Sequence, residues 1–206
     1  NMMLRWYPPI LSIRKETDFV SNLTAISPLG YTKPHKDTVG SYTISEVTDR
    51  AMASITARKD SVEAAKTILA KILKKPAPKV GGYCAGEIEA FWIGQGQWMM
   101  TASLVNHEDI VASFANKFKD KASLTEQTDG WSRFAITGPD IDRLCTLLCN
   151  LDTRVLKAGT ASRTSVEHIG CFFIRVADDC LHVIGPRSSA GSLYNAISVA
   201  AKSAPF

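Results

Sequence analysis

Residues 124–152, LTEQTDGWSRFAITGPDIDRLCTLLCNLD, constrain the fold more than any other stretch of the chain. Gly130 allows a turn, and residues 131–136 then alternate between apolar and polar side chains as in a half-buried strand. Gly138 and Pro139 follow, and proline is tolerated in the first turn of a helix because its missing amide proton has no partner there. A helix is predicted over 139–151, because apolar residues recur at spacings of three and four at Ile141, Leu144, Cys145 and Leu148. A strand therefore passes directly into a helix.

The same order of elements is found earlier in the chain. The segment ASITARKDSVEAAKTIL, which begins at Ala53, matches SRFAITGPDIDRLCTLL, which begins at Ser132, as a strand, a break and an amphipathic helix. Asp60 and Glu63 form a predicted capping box for the first helix, and Asn106 is the predicted cap of a later one. Further strands are predicted at 52–58, 87–93, 97–102, 164–169, 171–176 and 181–184, and a last helix at 189–203.

This recurrence predicts an α+β fold made of two related strand-helix-strand-strand-helix halves. We place the duplicated domain at 42–206, with halves at about 42–122 and 123–206, and regular structure beginning near Ile44. Residues 1–41 form a predicted extended N-terminal arm, since prolines and glycines interrupt any periodicity there. Two interpretations of the arm stay open. It wraps a partner through its apolar residues, or it is a mobile tail.

Composition and charge argue against several classes of function. The chain has 24 basic and 20 acidic residues, and the basic residues form no stripe with interleaved aromatics, so nucleic acid is not an expected partner. No continuous apolar segment predicts a membrane anchor or a signal peptide. Five cysteines without a close-spaced framework indicate reduced thiols, and hence a cytoplasmic protein.

No segment predicts a catalytic, cofactor-binding or metal site. Gly94-Gln95-Gly96 opens a strand rather than a helix, so it predicts a hairpin turn and not a dinucleotide loop. The four histidines are isolated in the sequence. The segment GPRSSAGS, residues 185–192, joins a strand to a helix, where it either binds an anion or caps the helix through Ser188 or Ser189.

Four segments give the chain a resemblance to the gamma subunit of heterotetrameric sarcosine oxidase. They are FWIGQGQWMM (91–100), LTEQTDGWSRFAITGP (124–139), LCNLDTRVLKAGTASRTSVEHIGCFFIR (148–175) and GPRSSAGSLYNAI (185–197). The resemblance implies a fold similar to the folate-binding domain of aminomethyltransferases. It also implies a complex that oxidatively demethylates sarcosine to glycine with hydrogen peroxide. The one-carbon unit goes to tetrahydrofolate as 5,10-methylenetetrahydrofolate, or is released as formaldehyde without folate.

The resemblance also implies how cofactors are distributed over the complex. The alpha subunit would hold NAD and tetrahydrofolate, the beta subunit FAD and FMN, and the delta subunit zinc. The gamma subunit would hold no cofactor and no catalytic residue. Two alternatives stay open: a free-standing folate-binding one-carbon protein with a pocket between its halves, and the same subunit role in a complex that acts on another N-methyl amino acid.

A subunit of this kind needs a contact surface of about 800 Å² per partner. Aromatic residues and arginine dominate protein interfaces, so the candidates are Trp6, Tyr7, Trp92, Trp98, Arg187 and Tyr194. The N-terminal arm and the hairpin at 94–98 are the first choices. Replacing Trp98 by Ala is expected to weaken assembly more than it destabilises the isolated chain.

Overall fold

A computed structural model describes residues 24–204 of the chain. The strands are β1 (Lys36–Val39), β2 (Tyr42–Glu46), β3 (Arg50–Ala57), β4 (Tyr83–Cys84), β5 (Glu89–Gly94), β6 (Gln97–Ser103), β7 (Ala122–Glu126), β8 (Trp131–Thr137), β9 (Thr160–Val166), β10 (Ile169–Ala177) and β11 (Cys180–Pro186). The helices are α1 (Val62–Leu73), α2 (Ile110–Phe118), α3 (Ile141–Leu148) and α4 (Ala190–Ser203). Two single 3-10 turns lie at Thr128–Gly130 and Arg187–Ser189.

The strands form two antiparallel sheets, and each sheet contains a strand from the other half of the chain. The first sheet has the order β1-β2-β8-β11-β10-β9, and the second has the order β4-β5-β6-β3-β7. Along the chain, β2-β3-α1-β4-β5-β6-α2 is followed by β7-β8-α3-β9-β10-β11-α4. The predicted α+β fold of two related halves is therefore confirmed. β2 pairs with β8, while β7 pairs with β3, so the halves exchange one strand each.

The two sheets face each other, and the helices cover their outer sides. One apolar cluster joins α3 and α4 to the first sheet, and a second joins α1 and α2 to the other sheet. A third cluster lies between the sheets and combines side chains of both, such as Phe91 and Met99 from one and Phe172 and Ile184 from the other. Strand residues alternate between these layers because successive side chains of a strand point to opposite faces.

The joints between strand and helix differ from the predicted capping. Asp60 has a φ of +59°, and Ser61 occupies the N-cap position of α1 without a side-chain hydrogen bond, so the predicted capping box is wrong. Glu63 instead accepts a 2.7 Å contact from Lys66. The cap of α2 is Asp109 rather than Asn106, since its Oδ1 accepts from the amide of Ala112 at 2.7 Å.

Helix α3 is shorter than its predicted range of 139–151. Asp140 is its N-cap, with a φ of +43°, and its side chain accepts from the amide of Arg143 at 3.1 Å. Asp60 and Asp140 both adopt the left-handed conformation between a strand and the helix that follows. This shared feature supports the relation between the two halves.

Regular structure begins earlier than predicted. β1 lies inside the predicted arm 1–41, and β2 begins before Ile44. Ahead of β1, the segment 24–35 is held by Glu46, whose carboxylate accepts from the amides of Leu29 at 2.9 Å and His35 at 2.7 Å. Residues 1–23 lie outside the described part of the chain, so neither interpretation of the arm is tested there.

The predicted hairpin between β5 and β6 is confirmed. Trp92 pairs with Trp98, the register shifts before Gly94 pairs with Gln97, and Gly96 has a φ of +65°. A glycine adopts this left-handed conformation without strain. The hairpin presents Met99 toward the space between the sheets and Trp98 toward the helices.

Candidate functional site

A cleft of about 270 Å³ lies where the segment 25–34 passes over one end of both sheets. Both halves of the chain contribute to it. Arg50 and Met52 come from β3, while Trp131 and Arg187 come from the start of β8 and the 3-10 turn after β11. The remaining walls are formed by Ala25, Ile26, Ser27, Pro28, Thr32, Lys33, Pro34, Val47, Thr48, Leu104, Thr128 and Asp129.

Arg50 connects the cleft to a polar network between the sheets. Its Nη2 donates to the carbonyl oxygens of Glu87 at 3.0 Å and Thr101 at 3.3 Å. The same atom lies 3.7 Å from Oε2 of Glu89, and the Arg50 side chain is 17% exposed. Its Nε is buried without a hydrogen-bond partner among residues 24–204.

Arg133 occupies the centre of this network. Its Nη1 donates to Oε2 of Glu89 in the opposite sheet at 2.8 Å, and its Nε donates to Nδ1 of His182 in the neighbouring strand at 2.9 Å. Thr101 donates to the same Glu89 oxygen at 2.9 Å. The Arg133 side chain is only 2% exposed, so this ion pair joins the two sheets away from water.

The surroundings set the protonation of the network. Burial, together with the positive charge of Arg133, lowers the pKa of His182 to about 3, so the imidazole is neutral at physiological pH. A neutral ring agrees with Nδ1 acting as an acceptor. Burial alone would raise the pKa of Glu89, but Arg133, Arg50 and Thr101 together lower it below its usual value. The network therefore holds two guanidinium charges against one carboxylate.

The opposite wall of the cleft is held by Arg187. Its Nη2 donates to the carbonyl of Ile26 at 2.9 Å, and its Nη1 lies 3.8 Å from Oδ1 of Asp129. Ser189 occupies the N-cap position of α4 but makes no side-chain capping bond, so the predicted hydroxyl cap by this residue is wrong. Trp131 is oriented by a 3.1 Å hydrogen bond from its indole Nε1 to Gln127.

Within residues 24–204, the predicted interface residues lie in two places: Trp92 and Trp98 are paired across the β5–β6 hairpin, while Arg187 and Tyr194 lie in the 3-10 turn after β11 and in α4. Trp98 is 1% exposed and donates through Nε1 to the carbonyl of Pro78 at 2.9 Å, so it belongs to the core and offers no surface to a partner. Its replacement by Ala is accordingly expected to destabilise the fold, which corrects the opposite expectation drawn from residue type. Trp92 is half-buried beneath α1 and α2. Tyr194 is half-buried and lies 3.0 Å from His35 through its hydroxyl. Trp6 and Tyr7 lie outside the described residues.

The sequence did not single out the inter-sheet network. Arg50, Glu89, Thr101 and Arg133 occupy the inward phase of their strands, where the neighbouring inward residues are apolar. The network could have been predicted from charged residues at strand positions that the alternation assigns to the interior. Such a residue indicates an ion pair, because a buried charge is retained only when it is paired.

No protein-family model matches the chain. No curated protein matches it either. Its fold is similar to a chain of the heterotetrameric sarcosine oxidase from Corynebacterium sp. U-96, with a TM-score of 0.66 and 15% identity over 82% of this chain and 89% of that one. It is also similar to the glycine cleavage system aminomethyltransferase T from Bartonella henselae, with a TM-score of 0.58 and 13% identity over 80% of this chain.

The second similarity covers only part of the other protein. This chain spans about half of the aminomethyltransferase, since the match covers 50% of that chain. Both likenesses are at low identity, and what they show is the shared α+β fold of two antiparallel sheets.

Two further observations concern the residues that the structure describes. Across residues 24–204, no helix has the length and apolar character that crossing a membrane requires. The five cysteines are free thiols, and burial raises the pKa of Cys145 and of Cys171 to about 12.

Proposed function

We propose that this chain is a non-catalytic subunit of a complex of the heterotetrameric sarcosine oxidase type, in the position of the gamma subunit. The supporting observation is the extent of the structural match, which takes in 89% of a chain from such a complex and 82% of this one. The corresponding match covers only half of the aminomethyltransferase. A match that takes in most of a chain from such a complex supports a subunit role.

The outer face of α3 and α4 is the surface we assign to a partner subunit. Leu147 and Val199 are 47% and 52% exposed there, and they flank a groove lined also by Leu148, Ala196 and Ala200. The equivalent groove between α1 and α2 is bordered by Lys71 and Lys117. Glu167 is the one charged residue in the lining of the α3–α4 groove, and the rest of the lining is apolar apart from Ser203. A mostly apolar face of this kind fits the core of a permanent interface, where charged residues are depleted.

In this role the complex oxidises sarcosine, and the cofactors lie on the alpha, beta and delta subunits. The described residues do not suit tetrahydrofolate, because the space between the sheets is filled by Phe91, Met99, Phe172 and their neighbours. The cleft itself, at about 270 Å³, is below the range of roughly 300–1,000 Å³ that is usual for pockets binding drug-sized ligands. Trp6, Tyr7, Trp92, Arg187 and Tyr194 stay proposed contact residues, and the surface at α3 and α4 is added to them.

Purification of the tagged full-length chain from its native host tests this role. We expect flavin-containing chains to co-purify, visible by their absorbance, with hydrogen peroxide formed when sarcosine is added.

Val199→Glu places a charge on the apolar face and is expected to reduce the co-purified flavin at least tenfold, because an unpaired charge at an interface is strongly unfavourable. Val105→Glu is the matched control, since Val105 is 90% exposed and lies elsewhere. A colourless chain without sarcosine-dependent peroxide would contradict the proposal.

The second candidate is a free-standing folate-binding one-carbon protein. It is favoured by the fold that the chain shares with the aminomethyltransferase. Titration of the purified chain with tetrahydrofolate separates the two candidates. Micromolar binding without partner chains supports the second, and no binding supports the first.

The choice between sarcosine and another N-methyl amino acid is a property of the whole complex. The same peroxide assay with dimethylglycine or an N-methylated proline derivative decides it.

A further inference from the structure

We propose that the cleft at 25–34 binds a small carboxylate with an apolar body, a property independent of the subunit role. The first support is the charge of its walls. Lys33, Arg50 and Arg187 are cationic, while Asp129 is the single acidic residue of the lining, and its side chain is 95% exposed. A ligand inside the cleft therefore meets an excess of positive charge, with the balancing carboxylate directed largely to solvent.

The second support is the incomplete neutralisation of Arg50. Glu89 is shared between two guanidinium groups, and it lies 2.8 Å from Arg133 but 3.7 Å from Arg50. Arg133 thus has the direct ion pair, and the positive charge of Arg50 is the less compensated of the two. Nη2 of Arg50 is engaged by carbonyl oxygens, which are neutral acceptors. Within the described chain, its Nε has no acceptor at all. An anion near this guanidinium supplies the missing charge.

His182 does not alter this balance. Its ring accepts a hydrogen bond from Arg133 at Nδ1, and it is neutral over the physiological range. The network beneath the cleft accordingly retains one net positive charge in a site where water is largely excluded. Electrostatic attraction for an anion is stronger in such a site than at a solvated surface.

The third support is the apolar character of the remaining walls. The apolar part of the lining includes Trp131, Met52 and Leu104, together with Pro28, Pro34 and Val47. The volume of about 270 Å³ corresponds to about nine water molecules in the liquid. A flat or compact carboxylic acid of that size would displace water from the apolar walls and place its charge at Arg50 or Arg187.

Benzoate and benzamide are a matched pair of probes for titration calorimetry on the full-length chain. They have the same size and shape and differ in charge. We expect benzoate to bind with a Kd of about 1 mM or tighter. Benzamide should bind at least about tenfold more weakly, because it lacks the charge-assisted contacts. Equal affinities would overturn the proposal, as would the absence of benzoate binding at concentrations about tenfold higher than that Kd.

Variants locate the binding in the cleft. Arg187→Gln is expected to weaken benzoate binding about tenfold, because Arg187 is one-third exposed and its replacement leaves the inter-sheet network intact. Arg50→Gln should weaken it further, and its melting temperature reports separately on folding. Lys117→Gln makes the same charge change on α2, away from the cleft, and should leave the affinity unchanged. A loss in Lys117→Gln equal to that in Arg187→Gln would show that only the net charge matters, which would overturn the proposal.

Discussion

At the scale of single residues, the ionic network between the sheets determines how the protein responds to acid. His182 is packed against Arg133, and its pKa of about 3 lies well below its usual value near 6.5. Between those values the unfolded chain binds a proton at this position and the folded chain does not. Unfolding is therefore favoured increasingly as the pH falls from about 6.5 toward 3.

We predict that His182→Gln flattens the dependence of the unfolding free energy on pH between pH 5 and 7. The lost slope is at most about 1.4 kcal/mol per pH unit, which is the contribution of one proton. Glu89 contributes little in this window, because its pKa is lowered in the folded state from an ordinary value of 4.5, so its effect on stability develops mainly below pH 5. Urea unfolding at several pH values measures the slope. His168→Asn is the control, because His168 is exposed in a left-handed turn that asparagine accepts; an unchanged slope in H182Q would contradict the assignment.

Residue type alone predicted neither the buried position of Trp98 nor the ionic network between the sheets. Trp98 was expected at an interface because tryptophan is frequent there, but its position in β6 directs it to the helix side of the sheet. His182 is isolated from the other histidines in the sequence, but in the fold it lies against Arg133 of the neighbouring strand. The partners of Arg133 come from the opposite sheet and a neighbouring strand, 44 and 49 residues away, and no local pattern encodes such a contact.

At the scale of elements, the glycines near the starts of α3 and α4 have different surroundings. Gly138 follows β8, and a Cβ at this position would lie 2.6 Å from Cδ1 of Tyr42 and 2.9 Å from the carbonyl oxygen of Ser41. The strand β2, which carries Tyr42 from the other half, therefore packs directly over this joint. Gly191, in the first turn of α4, has no such neighbour within 4 Å.

We predict opposite effects of alanine at these two glycines. Gly138→Ala should lower the unfolding free energy by about 1–3 kcal/mol, as is usual for overpacking against backbone atoms. Gly191→Ala should raise it by about 0.5 kcal/mol, because alanine favours the helix. Chemical denaturation of both variants provides the measurement. A neutral Gly138→Ala would mean that β2 lies farther from the joint than the distances indicate.

The regular elements were predicted where local patterns dominate. The β5–β6 hairpin follows from a turn sequence between alternating strands, and the two long helices follow from apolar spacing. β2 and β7 were missed because each is short and pairs with a strand of the other half. The cap of α1 was misplaced because Asp60 adopts a positive φ, which composition does not reveal.

At the scale of the whole molecule, the exchange of β2 and β7 makes the two halves dependent on each other. Each sheet lacks a strand unless the other half supplies it. The third apolar cluster also requires both sheets, since each sheet supplies only part of its side chains. The repeat in the sequence therefore indicates a duplication, but it does not indicate two units that fold separately.

We predict that residues 1–121 and 122–206 do not fold when they are produced individually. Each piece would expose the inter-sheet face and an unpaired strand edge. Mixing the two pieces should restore a cooperative thermal transition and a far-ultraviolet circular dichroism spectrum like that of the intact chain. Cooperative unfolding of either piece by itself would contradict this interdependence.

The pairing of β2 with β8 also has a consequence during protein synthesis. About 85 residues separate the end of β2 from the start of β8. At the usual rate of elongation, this distance corresponds to roughly 4–17 s between the emergence of the two strands from the ribosome. Throughout that interval the nascent chain carries a strand edge whose amides and carbonyls have no native partner, and such an edge is a template for intermolecular pairing. The chain is thus most exposed to aggregation while it is still being translated, and its yield should improve when a chaperone shields the nascent amino-terminal half.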